Sequence, residues 1–230
     1  MHTFRLLRYF FYLASNWNLN IAWHILSAEI RGEKKYDIDT TGADELKSLA
    51  EKGIDTTHAT IYMPASYDLL EIVFDRLKTT PVRHLIDFGC GKGRVLCVAA
   101  YHGFTKVTGL DISKEFCEVA KENLHRVLVK KPHLHFTVIN NDAFYFEIPA
   151  DADCLFFFNP FDEVLMSGVV ENILDSLRKK PREIRVVYFN PLHKKLFTSQ
   201  GFEEIYNVKK LKYLEASILR YNDKKTGSIV

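Results

Sequence analysis

The sequence is sparing in the features that commit a chain to a class early. It has four cysteines, Cys90, Cys97, Cys117 and Cys154, at no paired spacing. That excludes a disulfide scaffold and reads as reduced thiols in a cytoplasmic protein. His133 and His135 alternate within a predicted strand and would share a face, but no Cys or acid stands at ligand spacing, so no metal site is expected. Long hydrophobic runs are also missing. The N-terminal stretch MHTFRLLRYFFYLASNWNLNIAWHIL is broken by Arg5 and Arg8 and followed by Asn16, Asn18 and Asn20, short of the roughly 20 apolar residues a span requires. It fits an amphipathic helix that packs on the domain, on a second subunit or on a membrane surface, with the first two ahead of the third. A net charge of +2 argues for no partner, and stable DNA binding is not expected. Repeats and low-complexity tracts are absent.

What is present is ordinary in amount and specific in order. With 230 residues, 47% apolar and 26% charged, the chain suits one sizeable domain with room for a small appendage. From Arg178 to Lys212 ten Lys or Arg stand against three Glu. This basic stretch reads as a solvated surface or as a face for an acidic partner such as RNA. The polar segment RGEKKYDIDTTG (31–42) reads as a hinge between an N-terminal helical piece and the rest, and the chain is expected to divide into an N-terminal helical extension, 1–60, and a main domain, 61–230. Asp44–Gly53 reads as a short helix, and Pro64 opens a longer one with Leu69, Leu70, Val73, Phe74 and Leu77 at helical spacing.

Short apolar runs then alternate with helical segments. Strands are expected at His84–Phe88, Lys106–Leu110, His135–Ile139, Cys154–Phe158 and Ile184–Phe189. Helices are expected at Arg94–His102, Ser113–Lys130, Glu163–Leu177 and Leu192–Ser199. Nearly all-apolar strands separated by helices imply an α/β fold, a doubly wound and mostly parallel sheet covered on both faces. GFEEIYNVKK and KYLEASILRYN add an antiparallel pair, for seven strands in all.

LIDFGCGKGR (85–94) is the densest motif. A phosphate loop of the GxxxxGK[ST] type does not fit it, because no Ser or Thr follows Lys92. A dinucleotide fingerprint would need a third glycine where Arg94 stands, and Asp87 would face the pyrophosphate, so an NAD-dependent oxidoreductase is disfavoured. A cationic ligand without phosphate suits Asp87, and glycines let backbone approach it closely.

DFGCGKGR resembles the first motif of the class I (seven-strand, Rossmann-like) methyltransferases that use S-adenosylmethionine (SAM), with S-adenosylhomocysteine (SAH) as product. VTGLDIS resembles their second motif, with Asp111 standing 24 residues after Asp87, and NNDAF resembles their third. The resemblance covers about residue 63 to the C-terminus, which makes 61–230 the SAM-binding domain. It implies that Asp87, Phe88, Gly89, Cys90, Gly91 and Gly93 surround the aminoacyl end of SAM. It also implies that Asp111 accepts the ribose hydroxyls, that Ile112 stacks on the adenine, and that Asn141, Asp142 and Ala143 border it. The fourth motif position is LFFFNPFDE. By the same resemblance Asn159, Pro160 and Phe161 are the catalytic candidates, and Asn159 borders the cofactor. Asn159 would hold an acceptor amino group, although one proline of the amino-methyltransferase pattern is missing. Asn followed by Pro is also an N-cap pattern, so Asn159, and Asn190 in the second copy YFNPL, carry a capping reading beside the functional one. Upstream, IYMPASYDLLEIV resembles small lysine methyltransferases, in which Tyr62 and Tyr67 would line the channel or simply pack. The expected activity is methyl transfer to an unidentified acceptor, a nitrogen of a protein side chain or RNA base. The alternative is a non-catalytic SAM-binding module acting as a sensor or partner subunit.

Overall fold

The computed structural model describes residues 6–7, 9–11, 14–15, 18–41, 64–80, 82–210 and 214–222. Seven strands form one sheet in the order β3-β2-β1-β4-β5-β7-β6. They are β1 (His84–Phe88), β2 (Lys106–Asp111), β3 (His135–Asn140), β4 (Cys154–Phe158), β5 (Ile184–Phe189), β6 (Glu203–Lys210) and β7 (Leu214–Tyr221). The first five run parallel. β7 runs antiparallel between β5 and β6. β1 and β5 are buried at every position, and β4 at all but its last, because their apolar side chains face helices on both sides. β3 at the sheet edge is partly exposed throughout.

The helices are α1 (Leu19–Tyr36), α2 (Tyr67–Leu77), α3 (Arg94–Tyr101), α4 (Lys114–Lys130), α5 (Glu163–Lys179) and α6 (Lys194–Thr198). One apolar cluster, with Leu70, Phe74, Leu96, Val98 and Leu124, fills one side of the sheet. Another, with Met166, Val170, Ile173, Phe197 and Phe202, fills the other. The chain runs outward from β1 to β3 and returns to β4 on the far side of β1. This reversal opens a crevice at the carboxyl ends of β1 and β4, where ligands of such sheets bind.

Three expectations need correction. The 31–42 segment is not a hinge. α1 continues through it to Tyr36, and Thr40 and Thr41 are buried, their backbone N–H groups donating to Glu33 Oε1 at 2.7 and 2.6 Å. Its polarity therefore reflects an internal hydrogen-bond network rather than solvent. The helix expected from Pro64 begins at Tyr67, because the Ala65 carbonyl accepts Arg94 Nη1 at 2.9 Å and is spent outside the helix. His133 precedes β3 rather than lying within it. The short helix expected at Asp44–Gly53 lies outside the described residues.

Candidate active site

The glycine loop joins β1 to α3. Gly89, Gly91 and Gly93 have φ of +80°, +50° and +82°, the left-handed region that other residues rarely occupy. A Cβ on Gly89 would stand 3.0 Å from Pro160 Cβ, and one on Gly93 would stand 2.9 Å from Ala120 Cβ. Glycine at these positions lets the loop close against β4 on one side and α4 on the other. The Gly89 and Cys90 amides both donate to the Leu110 carbonyl, at 2.9 and 2.8 Å, which draws the loop to the end of β2. Phe88 and Cys90 are buried, and burial pushes the Cys90 thiol well up, so it is an inert packing group.

Three acids stand at or just beyond the carboxyl ends of the first three strands. Asp87, in β1, is 2% exposed, and no described group bonds its Oδ2. Burial first, then the nearby Asp111, raises its pKa well above the carboxylate range. Asp111, ending β2, accepts the Gly91 amide on Oδ2 and the Ser113 amide on Oδ1, each at 2.8 Å. Burial raises its pKa, and those two amides oppose the shift. Ser113, not Asp111, is the N-cap of α4. Asp142, after β3, is exposed and accepts the Phe144 amide at 2.9 Å, which caps the 3-10 turn Ala143–Tyr145. Its neighbour Asn141 is exposed, Ile112 is half-buried and Ala143 is buried.

One residue that the sequence reading passed over joins these strand ends. Asn140 Nδ2 donates to the Asp111 and Ile112 carbonyls at 2.9 and 2.8 Å, clamping the chain beyond β2 to the end of β3. Nothing local distinguishes it from Asn141.

Across the crevice, β4 and β5 end alike. Asn159 and Asn190 both take positive φ, +39° and +48°, which Asn tolerates better than most residues. The capping reading is overturned for both. Asp162 caps α5, accepting Leu165 N–H at 2.9 Å, and α6 starts after His193. Tyr188, fully buried in β5, donates its hydroxyl to Asn159 Oδ1 at 3.2 Å and accepts His193 N–H at 3.4 Å. Its pKa is pushed up to about 12 by burial. Pro160 is half-buried, and Phe161 is buried in the cluster with Met166 and Phe197.

The wall beside the glycine loop comes from the N-terminal segment. Arg94, the first residue of α3, is 2% exposed. Its guanidinium grips Glu29 of α1 with both Nη atoms, at 2.8 and 2.5 Å. Its Nε donates to Thr40 Oγ1 at 2.8 Å. The Tyr67 ring lies 4.1 Å beneath it and stacks on Tyr36. Tyr67 is thus a packing aromatic, while Tyr62 lies outside the described residues. Among the described residues no His, Cys, Asp or Glu group is placed to hold a metal.

The site has the features SAM requires of a protein. A buried, unpartnered carboxylate oxygen on Asp87 suits a cation or an N–H donor, and three glycines hold the loop after it in the left-handed region. Comparison with known proteins agrees. Residues 86–188 match a family described as a methyltransferase domain. No curated protein matches the chain, whereas 1051 chains of solved structures do. One is the StiE O-methyltransferase, with 14% identity, TM-score 0.52, and coverage of 69% of this chain and 75% of that one. A protein of Nostoc punctiforme described as an O-methyltransferase has 16% identity and TM-score 0.54, with coverage of 67% and 56%. A protein of Haemophilus influenzae described as a methylase has 19% identity and TM-score 0.52, with coverage of 70% and 92%. Such distant likenesses establish the fold and leave the acceptor open. Residues 86–188 thus match a methyltransferase domain, and the seven-strand sheet around them has the fold of the methyltransferases to which the chain is similar.

Proposed function

We propose that SAM lies across the ends of β1, β2 and β3, and that its methyl group is transferred to an acceptor held beside the ends of β4 and β5. The observation that carries this is the 2.8 Å bond from the Gly91 amide to Asp111 Oδ2. It fixes the second-strand acid against the glycine loop and leaves each carboxylate oxygen a further lone pair for a ribose hydroxyl. Asp87 faces the cationic end of the ligand, Ile112 stacks on the adenine, and Asn141, Asp142 and Ala143 border it. SAM supplies a methyl group already activated by its sulfonium. The chain's own task is then orientation and electrostatics, and orientation alone is worth about 7–11 kcal/mol.

On the acceptor side, Asn159 and Pro160 border the reacting groups, and Phe161 supports them from the core. An acceptor nitrogen of a protein side chain or RNA base remains our finer reading, with Asn159 as the group that orients it. Tyr188 already donates to Asn159 Oδ1, so one lone pair of that oxygen is spent and the amide is fixed in rotation. The chain divides into an N-terminal extension, 1–60, of which Glu29 and Thr40 lie beside the glycine loop on Arg94, and a 61–230 domain, and a cytoplasmic location suits the four free, buried thiols of that domain.

Thermal unfolding with SAM, SAH, NADH and ATP tests the cofactor assignment. At about a hundred times the dissociation constant, a ligand of the native state adds about 2.7 kcal/mol, or about 5–11 °C for a chain of this size. The expected result is such a shift with SAM and SAH and none with NADH or ATP. Asp111→Ala should abolish the SAH shift and keep the fold. Tight SAH binding by that variant would sink the ribose assignment.

A further inference from the structure

The outward face of α1 has a composition that the methyltransferase fold does not explain. No Asp or Glu occurs before Glu29. The two acids within α1, Glu29 and Glu33, are turned inward, 3% and 7% exposed, and are held by Arg94, Thr40 and Thr41. The exposed positions are Leu19, Trp23 and Ile30, with Asn20, His24, Arg31, Lys34 and Lys35. Leu19, Trp23 and Ile30 recur at four and seven residues and so share one side of the helix. They are 66%, 67% and 46% exposed, and Leu7 and Phe11 upstream are similarly bare. The acids nearby on other elements are balanced. Glu71 pairs with Lys35, Asp37 with Lys130 and Asp68 with Lys210. The net charge of the face is therefore set by Arg31 and Lys34, with His24 beside them.

An apolar strip containing tryptophan, flanked by cations alone, is the pattern of a helix lying in the plane of an anionic bilayer. We infer that the outward face of α1 docks on an anionic membrane surface. Trp23, Leu19 and Ile30 enter the headgroup boundary, and Arg31 and Lys34 meet lipid phosphates. No helix among the described residues is long and apolar enough to cross a membrane, so this is attachment to a surface. The geometry also links docking to the cleft. The inward side of α1 holds Arg94, the residue after Gly93, so the lipid-facing side stands about one helix diameter, ~10–12 Å, from the cofactor loop.

Co-sedimentation of the full chain with vesicles of phosphatidylcholine, alone or with phosphatidylglycerol, tests this. The expected result is binding to the anionic vesicles tighter by about ten- to a hundred-fold, weakening with salt. In a Trp17→Phe background, Trp23 emission should shift to the blue on those vesicles. Trp23→Ser and Lys34→Glu should each reduce binding severalfold and leave the SAH-induced thermal shift unchanged, which separates this inference from the cofactor assignment. Equal affinity for both vesicles, or none for either, overturns it. Two further results do the same without vesicle binding: a dimer that Trp23→Glu dissociates, which assigns the face to a second copy, or retention by RNA that Lys34→Glu abolishes.

Discussion

Arg94 and Glu29, 65 residues apart in the chain, form a two-pronged ion pair closed to solvent beside the glycine loop. Their side chains are 2% and 4% exposed. A cation in the first turn of a helix opposes the helix dipole, so Arg94 stands there only because Glu29, Thr40 and the Ala65 carbonyl satisfy it. Glu29 and Thr40 thus tie the N-terminal segment to the residue that follows the glycine loop.

Removing one member of that pair leaves a buried charge. Glu29→Ala is expected to lower stability by about 3–5 kcal/mol in urea unfolding, and Arg94→Ala by a similar amount. The double variant should lose clearly less than the sum, because the second removal relieves the orphaned charge left by the first. Additive losses would show that the two side chains act separately.

The Asn140 clamp gives a second prediction, read on cofactor affinity. Asn140→Ala frees the chain after Asp111 and should weaken SAH binding about five- to thirty-fold, the equivalent of about 1–2 kcal/mol. Asn140→Asp should be worse, since a carboxylate cannot donate to two carbonyls. Calorimetric titration with adenosine should show a parallel loss, because the clamp holds the residues assigned to the nucleoside half. Unchanged SAH and adenosine affinities would confine Asn140 to the fold.

Sheet and motif loop were legible in the sequence because both are written locally. β1, β4 and β5 are apolar on both faces and bounded by turns, and the glycines at 89, 91 and 93 mark positive φ directly. What was hidden depends on distant partners. The polar 31–42 segment looks like a linker until Glu33 is seen bonding Thr40 and Thr41 in the interior. Asn159 looks like a helix cap because Asn-Pro is a local signal. Its positive φ and its bond to Tyr188 come from the neighbouring strand, 29 residues on. Asn140 differs from Asn141 only in facing the end of β2, which pattern cannot report.

Asp87 should reveal itself in the pH dependence of stability. Its folded pKa is raised, by burial first and then by Asp111, so the native state holds a proton that the unfolded chain has released. That contribution is full below about pH 4 and is lost as pH rises through the raised value. Asp87→Asn removes the buried charge. Its melting temperature relative to the wild type is therefore expected to rise with pH, being lowest near pH 4 and highest near pH 8. The same variant should bind SAM more weakly, having lost the carboxylate proposed to face the cationic end of the ligand. A difference between the two proteins that stays flat from pH 4 to 8 would mean that Asp87 is ionised or neutral in both states alike.

Tyr188 and Asn159 give the last prediction, on the acceptor side. Tyr188 has no exposure and reaches the crevice only through its hydroxyl, which donates to Asn159. Tyr188→Phe deletes that donor and keeps the ring packed among Phe157 and Phe197. The fold should lose no more than about 1–2 kcal/mol, and SAH affinity should stay within about two-fold, since neither ring nor hydroxyl touches the loop or Asp111. The rate of labelled methyl transfer from SAM into a fixed cell extract should fall by about ten-fold, the equivalent of about 1.4 kcal/mol of lost orientation. Asn159→Ala should fall further, and adding Tyr188→Phe to it should cost little more in rate, because the hydroxyl's other bond, from His193 N–H, is to backbone and does not orient the acceptor. Equal penalties for Tyr188→Phe in both backgrounds would assign the tyrosine to packing alone and leave the orientation of Asn159 to other groups.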